Sequence, residues 1–201
     1  MKINQYEQSG CIIETDGGYK LAIDIGNYTP LDKLNGVSVD AMIVSHIHGD
    51  HFSIDNIKKL LPKKLYLNRE CIELLRKNKI SSEVIEVKVG DILDIGGMEV
   101  TLFNVDHGPN ATVKPKENFG MLIKGDNQKI FYTGEMFYPS GMDVSSLEAD
   151  IVLVPIGGFY TFGPKEAIDY VKRFKKIGKI IPMHYHKTPE KKGEFEKLFY
   201  L

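Results

Sequence analysis

A chain of 201 residues, 42% apolar and 26% charged, is long enough to bury one sizeable core and predicts a single domain over residues 1–201. A formal charge of −1 leaves no basic excess to recruit nucleic acid by counterion release, and no acidic tail implies disorder. Residues 1–8 lack the apolar core of a signal peptide, and no stretch approaches the roughly 18 apolar residues of a membrane span, so a cytoplasmic protein without a membrane partner is expected.

Residues 2–25 alternate polar and apolar side chains around two breaks, Ser9-Gly10 and Asp16-Gly17-Gly18, and predict an antiparallel meander whose third strand ends at Asp24. A short turn is expected at 31–34. Cys11 and Cys71 are the only cysteines, far apart and without a CxxC spacing, and read as small buried hydrophobes.

The apolar strand at 40–45 then delivers Ser45-His46-Ile47-His48-Gly49-Asp50-His51-Phe52, three histidines and an aspartate within six positions. Imidazole and carboxylate are ligands for borderline and hard divalent metals, and a turn after a buried strand is held by that strand's neighbours. His46 and His48 alternate and can point together, whereas Asp50 and His51 lie farther around the turn; one short loop can serve two ions. A polar loop capping the next helix would account for Asp50 and Ser53 but for none of the histidines.

A helix is expected over 53–61, stopped by Pro62, followed by a strand at 64–67 and a helix at 69–78 with Cys71, Leu74 and Leu75 inward. This alternation implies an α/β layer. Strands return at 83–89, 92–93 and 98–105, the last ending at Asp106-His107-Gly108, a second histidine released by a strand end. The aperiodic stretch 109–117 reads equally as a rim over that histidine or as a plain connection. A hairpin around Gly125-Asp126-Asn127-Gln128 leads to Thr133-Gly134-Glu135. The buried strand 149–155 runs into Ile156-Gly157-Gly158-Phe159-Tyr160-Thr161-Phe162-Gly163, where the glycines allow either a close backbone approach or only a sharp turn, and the aromatics either wall a pocket or fill core. Pro164 opens a helix to residue 176; a strand at 179–183 ends in His184-Tyr185-His186, and a helix at 190–200 closes the chain.

His46-x-His48-x-Asp50-His51 after a hydrophobic strand resembles the signature of the metallo-β-lactamase-fold hydrolases. The resemblance implies an α/β (α+β) chain folded as a four-layer αββα sandwich with metals at the edge where the sheets meet. It implies that His46, His48 and His107 hold one ion, that Asp50, His51 and His184 hold the other, and that Glu135 bridges. Asp50 and His51 are thereby catalytic as well as metal-holding. Asp24 matches an aspartate that orients ligands in this family, although a turn-capping role is the alternative. The sequence departs at Glu135, where the family carries Thr-Gly-Asp; the side chain is one methylene longer. The Pro-Ile-Gly-Gly run with its aromatics also resembles the ascorbate-phosphate lactonase-like branch of small hydrolases. His186 matches no ligand position and reads as a rim residue or proton carrier.

Nitrogen and oxygen ligands without cysteine admit zinc, manganese or iron. Iron-binding flavodiiron relatives carry glutamate at the position of His48, which favours two Zn2+. Two divalent ions activate a water and leave residual positive charge. A hydrolase of a small, anionic ester, lactone, amide or phosphodiester is therefore expected. The alternative is a metal-binding fold without turnover, acting as a sensor or interaction module, which only the longer Glu135 favours.

Overall fold

A computed structural model describes residues 1–108, 110–137 and 142–199. Pro109 and Tyr200, assigned above to the central loop and the closing helix, lie outside the described residues. Six strands, β1 (Lys2–Gln5), β2 (Cys11–Glu14), β3 (Lys20–Ile23), β4 (Ala41–Ile43), β5 (Lys64–Leu67) and β6 (Glu83–Glu86), lie side by side in chain order in one sheet. The first three form the expected antiparallel meander. The pairings β3 to β4, β4 to β5 and β5 to β6 are parallel, with helices α1 (Ile54–Leu60) and α2 (Arg69–Leu75) inserted in the last two connections. The second half repeats the plan. Strands β7 (Ile92–Ile95), β8 (Met98–Asn104), β9 (Phe119–Gly125) and β10 (Gln128–Tyr132) pair antiparallel, and β11 (Glu148–Pro155) and β12 (Lys176–Met183) add parallel to β10. Helix α3 (Pro164–Val171) joins the last two strands and α4 (Glu190–Phe199) follows.

The layers follow from the two-residue period of strand side chains. Cys11, Ile13, Leu21, Ile23, Ala41 and Ile43 of the first sheet share one apolar cluster with Val100, Met121, Ile123, Ile130 and Leu153 of the second, so these faces meet. The alternate residues Ile12, Ala22, Met42 and Leu65 pack with Ile57, Leu60, Cys71 and Leu75 of α1 and α2. On the far side Leu122, Phe131, Val152 and Val154 pack with Ala167, Ile168, Val171 and Phe195 of α3 and α4. The result is helix, sheet, sheet, helix, the αββα sandwich expected above. Both cysteines are buried and free, with burial pushing their thiols up. Among the described residues no helix is long and apolar enough to cross a membrane.

Several boundaries differ from the sequence reading; the strand expected over 83–89 ends at Glu86, and two differences bear on the helices. Helix α3 stops at Val171, and the chain re-enters the sheet already at Lys176, because β12 pairs with the full length of β11 from Glu148↔Lys176 to Pro155↔Met183. Gly178 fits that register closely, since a Cβ there would lie 2.5 Å from the Asp150 carbonyl oxygen. Helix α2 likewise ends at Leu75, and the Asn78 amide closes a turn on the Leu75 carbonyl (2.8 Å).

The topology gathers strand ends on one edge. The parallel strands β3, β4, β10, β11 and β12 all finish there, and β2, antiparallel to β3, begins there. Gly26, just past β3, packs directly on the turn that follows β4: a Cβ would stand 2.0 Å from the carbonyl of Asp50 and 2.4 Å from the His51 nitrogen. These are backbone atoms that no rotamer change can move aside. Gly26→Ala is expected to destabilise the protein by about 3 kcal/mol, the upper range for overpacking, measured by urea unfolding; parental stability would show that this approach is not fixed.

Candidate metal centre

The turn after β4 is wound tightly, with the amides of His51 and Phe52 both donating to the His48 carbonyl (2.9 and 2.7 Å) and Asn27 donating to the Gly49 carbonyl (2.8 Å). Ser53 caps α1 by accepting from the Asn56 amide (3.3 Å). Asp50 takes no part in the cap; its carboxylate turns the other way, 3.3 Å from His184 Nε2.

All seven residues read from the sequence as ligands come together. His46, His48, His107 and Glu135 form one group, and Asp50, His51, Glu135 and His184 a second, with the ligand atoms of each group within 4.8 Å of one another. Glu135 belongs to both. Its Oε2 lies 3.0 Å from His46 Nε2, 3.0 Å from His107 Nε2 and 3.2 Å from His51 Nε2, while Oε1 lies 3.4 Å from His184 Nε2. Glu135 Oε2, His51 Nε2 and His107 Nε2 are buried without a hydrogen-bond partner among the described residues. Buried polar atoms are normally paired. Lone-pair donors that converge without hydrogen bonds, all nitrogen and oxygen, fit the ligand set of divalent cations.

Electrostatics supports the same assignment. Burial and the neighbouring His51 push His46 down to about 4, which keeps it neutral with a lone pair to give. Burial alone would lower His51, but Asp24 and Asp50 hold it well above its ordinary value; a cation beside its Nε2 meets the same favourable field. Burial alone would raise Glu135, yet His107, His46, His48 and His51 hold the carboxyl well below the usual range.

Behind the ligands lies Asp24, fully buried, with φ +50°. It accepts from the Ser45 amide (2.7 Å), Ser45 Oγ (2.6 Å), His51 Nδ1 (2.8 Å) and Tyr132 OH (2.5 Å). Because Ser45 Oγ donates to Asp24, it is left to accept from His46 Nδ1 (3.0 Å). Both rings are thus fixed with Nδ1–H outward and Nε2 inward. His48 turns the opposite nitrogen inward: its Nε2 donates to the Val113 carbonyl (2.7 Å), leaving Nδ1 toward Glu135. The orienting role implied for Asp24 is therefore its observed contact. Sequence reasoning missed Ser45, Tyr132, the Val113 carbonyl and Gln8, whose Nε2 donates to Asp50 Oδ2 (3.2 Å). For Tyr132 a signal existed: a tyrosine at an inward strand position needs a partner for its hydroxyl.

The ligands floor an open cleft of about 440 Å³ walled by Tyr28, Val113, Phe159, Tyr160 and Lys187. Residues Ala111 to Val113 form part of its rim, as one reading of the 109–117 stretch expected. The aromatics divide: Phe159 and Tyr160 face the cleft, whereas Phe162 is core. Gly157 supplies a close approach, since a Cβ there would lie 2.2 Å from the His184 carbonyl oxygen. His186 stays outside the ligand groups and lies against Tyr28, ring centroids 5.6 Å apart and planes tilted by 38°.

The model of a family described as "Beta-lactamase superfamily domain" matches residues 2–184. The chain belongs to this family and is a metallo-β-lactamase-fold hydrolase. It is 30% identical over 165 residues, 79% of this chain and 70% of the relative, to a Korarchaeum cryptofilum protein named a UPF0173 metal-dependent hydrolase. Among solved structures it resembles Igni18, a metallo hydrolase of Ignicoccus hospitalis, with TM-score 0.76 and 22% identity over 98% of this chain and 90% of that one. It also resembles an isothiocyanate hydrolase from Delia radicum gut bacteria, with TM-score 0.68 and 17% identity over 92% of this chain and 85% of that one. At those identities the two structures speak for the fold.

Replacing the Asp24 carboxylate by an amide keeps its shape but removes the charge that holds His51. Asp24→Asn is expected to weaken metal binding 10- to 100-fold, the usual effect of losing a partner behind a ligand. Competition against a chromophoric chelator measures this, and unchanged affinity would show that Asp24 serves only the turn.

Proposed function

We propose that this metal-dependent hydrolase works with two divalent cations, Zn2+ in the first place, and cleaves an ester, lactone, amide or phosphodiester of a small anionic molecule. The observation that carries the reading is the Glu135 carboxylate shared between two complete ligand groups. The sequence left open whether the longer side chain would reach both. Its two oxygens lie against His46 and His107 on one side and His184 on the other, which supports an enzyme over a fold that has lost turnover.

Bound cations supply an acidified water and positive charge for the developing oxyanion. The chain's own groups do the rest. His46 Nε2, His48 Nδ1 and His107 Nε2 would hold the first cation, and Asp50, His51 Nε2 and His184 Nε2 the second, with Glu135 between. Asp50, whose side chain is 20% exposed against 4% for Glu135, is the more exposed of the two ligand carboxylates lining the cleft and would orient an attacking water, while His51, locked by Asp24, would fix the position of its own cation. Two carboxylates do not neutralise two divalent cations, so the centre attracts an anion.

The cleft favours the same substrate. Its walls are aromatic, and Lys187 Nζ rests 4.7 Å over the Tyr28 ring, without an ion pair among the described residues. A small acid with an apolar portion fits between Lys187 and the ligands, and nothing in the cleft or the net charge calls for nucleic acid.

Elemental analysis after mild dialysis is expected to find two divalent ions per chain, and a panel of esters, lactones and phosphodiesters to reveal hydrolysis that a chelator abolishes. One ion or none at saturating zinc would overturn the dinuclear reading; two ions without turnover of any panel member would favour the non-catalytic one. Lys187→Met is expected to raise KM for a dicarboxylate half-ester roughly tenfold, about one charge-assisted hydrogen bond, while sparing a neutral ester of equal length. An equal effect on both esters would remove Lys187 from recognition.

A further inference from the structure

Gln8 sits in the turn between β1 and β2, away from the histidine and aspartate motifs read from the sequence. It is 8% exposed, lines the cleft, and has φ +56°. A buried non-glycine residue in the left-handed region persists only where its surroundings determine it. Here they do so four times. Its carbonyl accepts from the His184 amide (2.8 Å), its Oε1 accepts from the His186 amide (3.1 Å), its Nε2 donates to Asp50 Oδ2 (3.2 Å), and the same nitrogen lies 3.3 Å from His184 Nε2. His184 is itself left-handed, with φ +57°.

The orientation of the carboxamide follows from these contacts. Turned over, it would set its NH2 against the His186 N–H and its oxygen against the Asp50 carboxylate, two repulsive pairs in place of two hydrogen bonds. The NH2 group therefore faces the ligands. Among the described residues the hydrogen-bond partners of this side chain, apart from the His186 amide that fixes it, are Asp50 and His184, with none to His46, His48 or His107.

We infer that Gln8 is a positioning residue for the second ligand group alone, its carboxamide and carbonyl holding Asp50 and His184 at the separation a cation requires. The inference rests on the dinuclear reading above. It extends the centre to a turn near the N-terminus, 176 residues from the histidine it holds. The asymmetry between the two groups is what distinguishes positioning from general support of the fold.

The test uses the 201-residue protein titrated with Zn2+ against a chromophoric chelator, and with Co2+ for its visible spectrum. In Gln8→Ala one ion is expected to bind 10- to 100-fold more weakly and the other as in the parent. The Co2+ band lost should be the one lost in His184→Ala. Gln8→Glu keeps the length and the acceptor for His186 but sets a carboxylate against Asp50, so its metal-free Tm should fall and its rise in Tm with Zn2+ should exceed the parent's. Parental affinity for both ions in Gln8→Ala, or equal weakening of both, overturns the inference. Should Gln8→Ala fail to fold, a Zn2+-induced Tm rise in Gln8→Glu equal to the parent's overturns it instead. A parent that binds no ion overturns the metal reading and this inference together, whereas a parent that binds two isolates the failure to Gln8.

Discussion

A single buried carboxylate, that of Asp24, ties together the parts on which the site depends. Taking an ion from water into a protein interior costs several kcal/mol even after relaxation. Four hydrogen bonds to a charged acceptor, at about 1.5–3 kcal/mol each, offset that cost. They come from three places: Ser45 at the end of β4, His51 on the ligand turn, and Tyr132 at the end of β10 in the opposite sheet. The two sheets are thus joined at their shared edge by polar contacts as well as by the apolar core between them. Removing any one donor leaves the others bound to a less satisfied charge, so the network is cooperative in the sense that matters for a ligand site: it holds geometry.

What the sequence disclosed, and what it withheld, follows from range. His46, His48, Asp50 and His51 share one turn, and their spacing alone marks them. His107, Glu135 and His184 were legible because each follows a recognisable strand, and parallel strands finish on one edge. The αββα layers were legible from alternation, since Ile12 between Cys11 and Ile13, or Met42 between Ala41 and Ile43, assigns faces directly. Gln8, in contrast, is defined by partners 42 and 176 residues away and by a backbone conformation that glutamine rarely adopts. No local pattern encodes that. The stretch after α3 failed for a different reason: Lys172 to Lys176 is as charged as a helix surface, and only the pairing of Glu148 with Lys176 shows that the helix has ended and that strand begins at Lys176.

The partial loss of ambiguity around the cleft has the same origin. Phe159, Tyr160 and Phe162 are adjacent and chemically alike, yet the first two face solvent and the third fills the core. Gly158 and Phe159, both with positive φ, turn the chain between them. The sequence offered the glycines and the aromatics but not the sign of the turn, which decides the face each ring takes.

Glu135 shows how a departure in side-chain length can be absorbed by the backbone that carries it. Gly134 adopts φ +67° and presses against β9 so closely that a Cβ would stand 2.3 Å from the Phe119 carbonyl oxygen. Asn118 then fixes the next peptide, its amide donating to the Glu135 carbonyl (2.8 Å). The main chain is therefore anchored at the wall of the second sheet and cannot advance toward the histidines. From that anchored position the carboxylate reaches three imidazoles at 3.0–3.2 Å and a fourth at 3.4 Å. Since the anchor sets the starting point and the histidines set the destination, the methylene that separates glutamate from aspartate is part of the fit between them. A side chain one methylene shorter on the same anchor would hold its carboxylate farther from these imidazoles, so length and backbone position are a matched pair, and neither has meaning without the other.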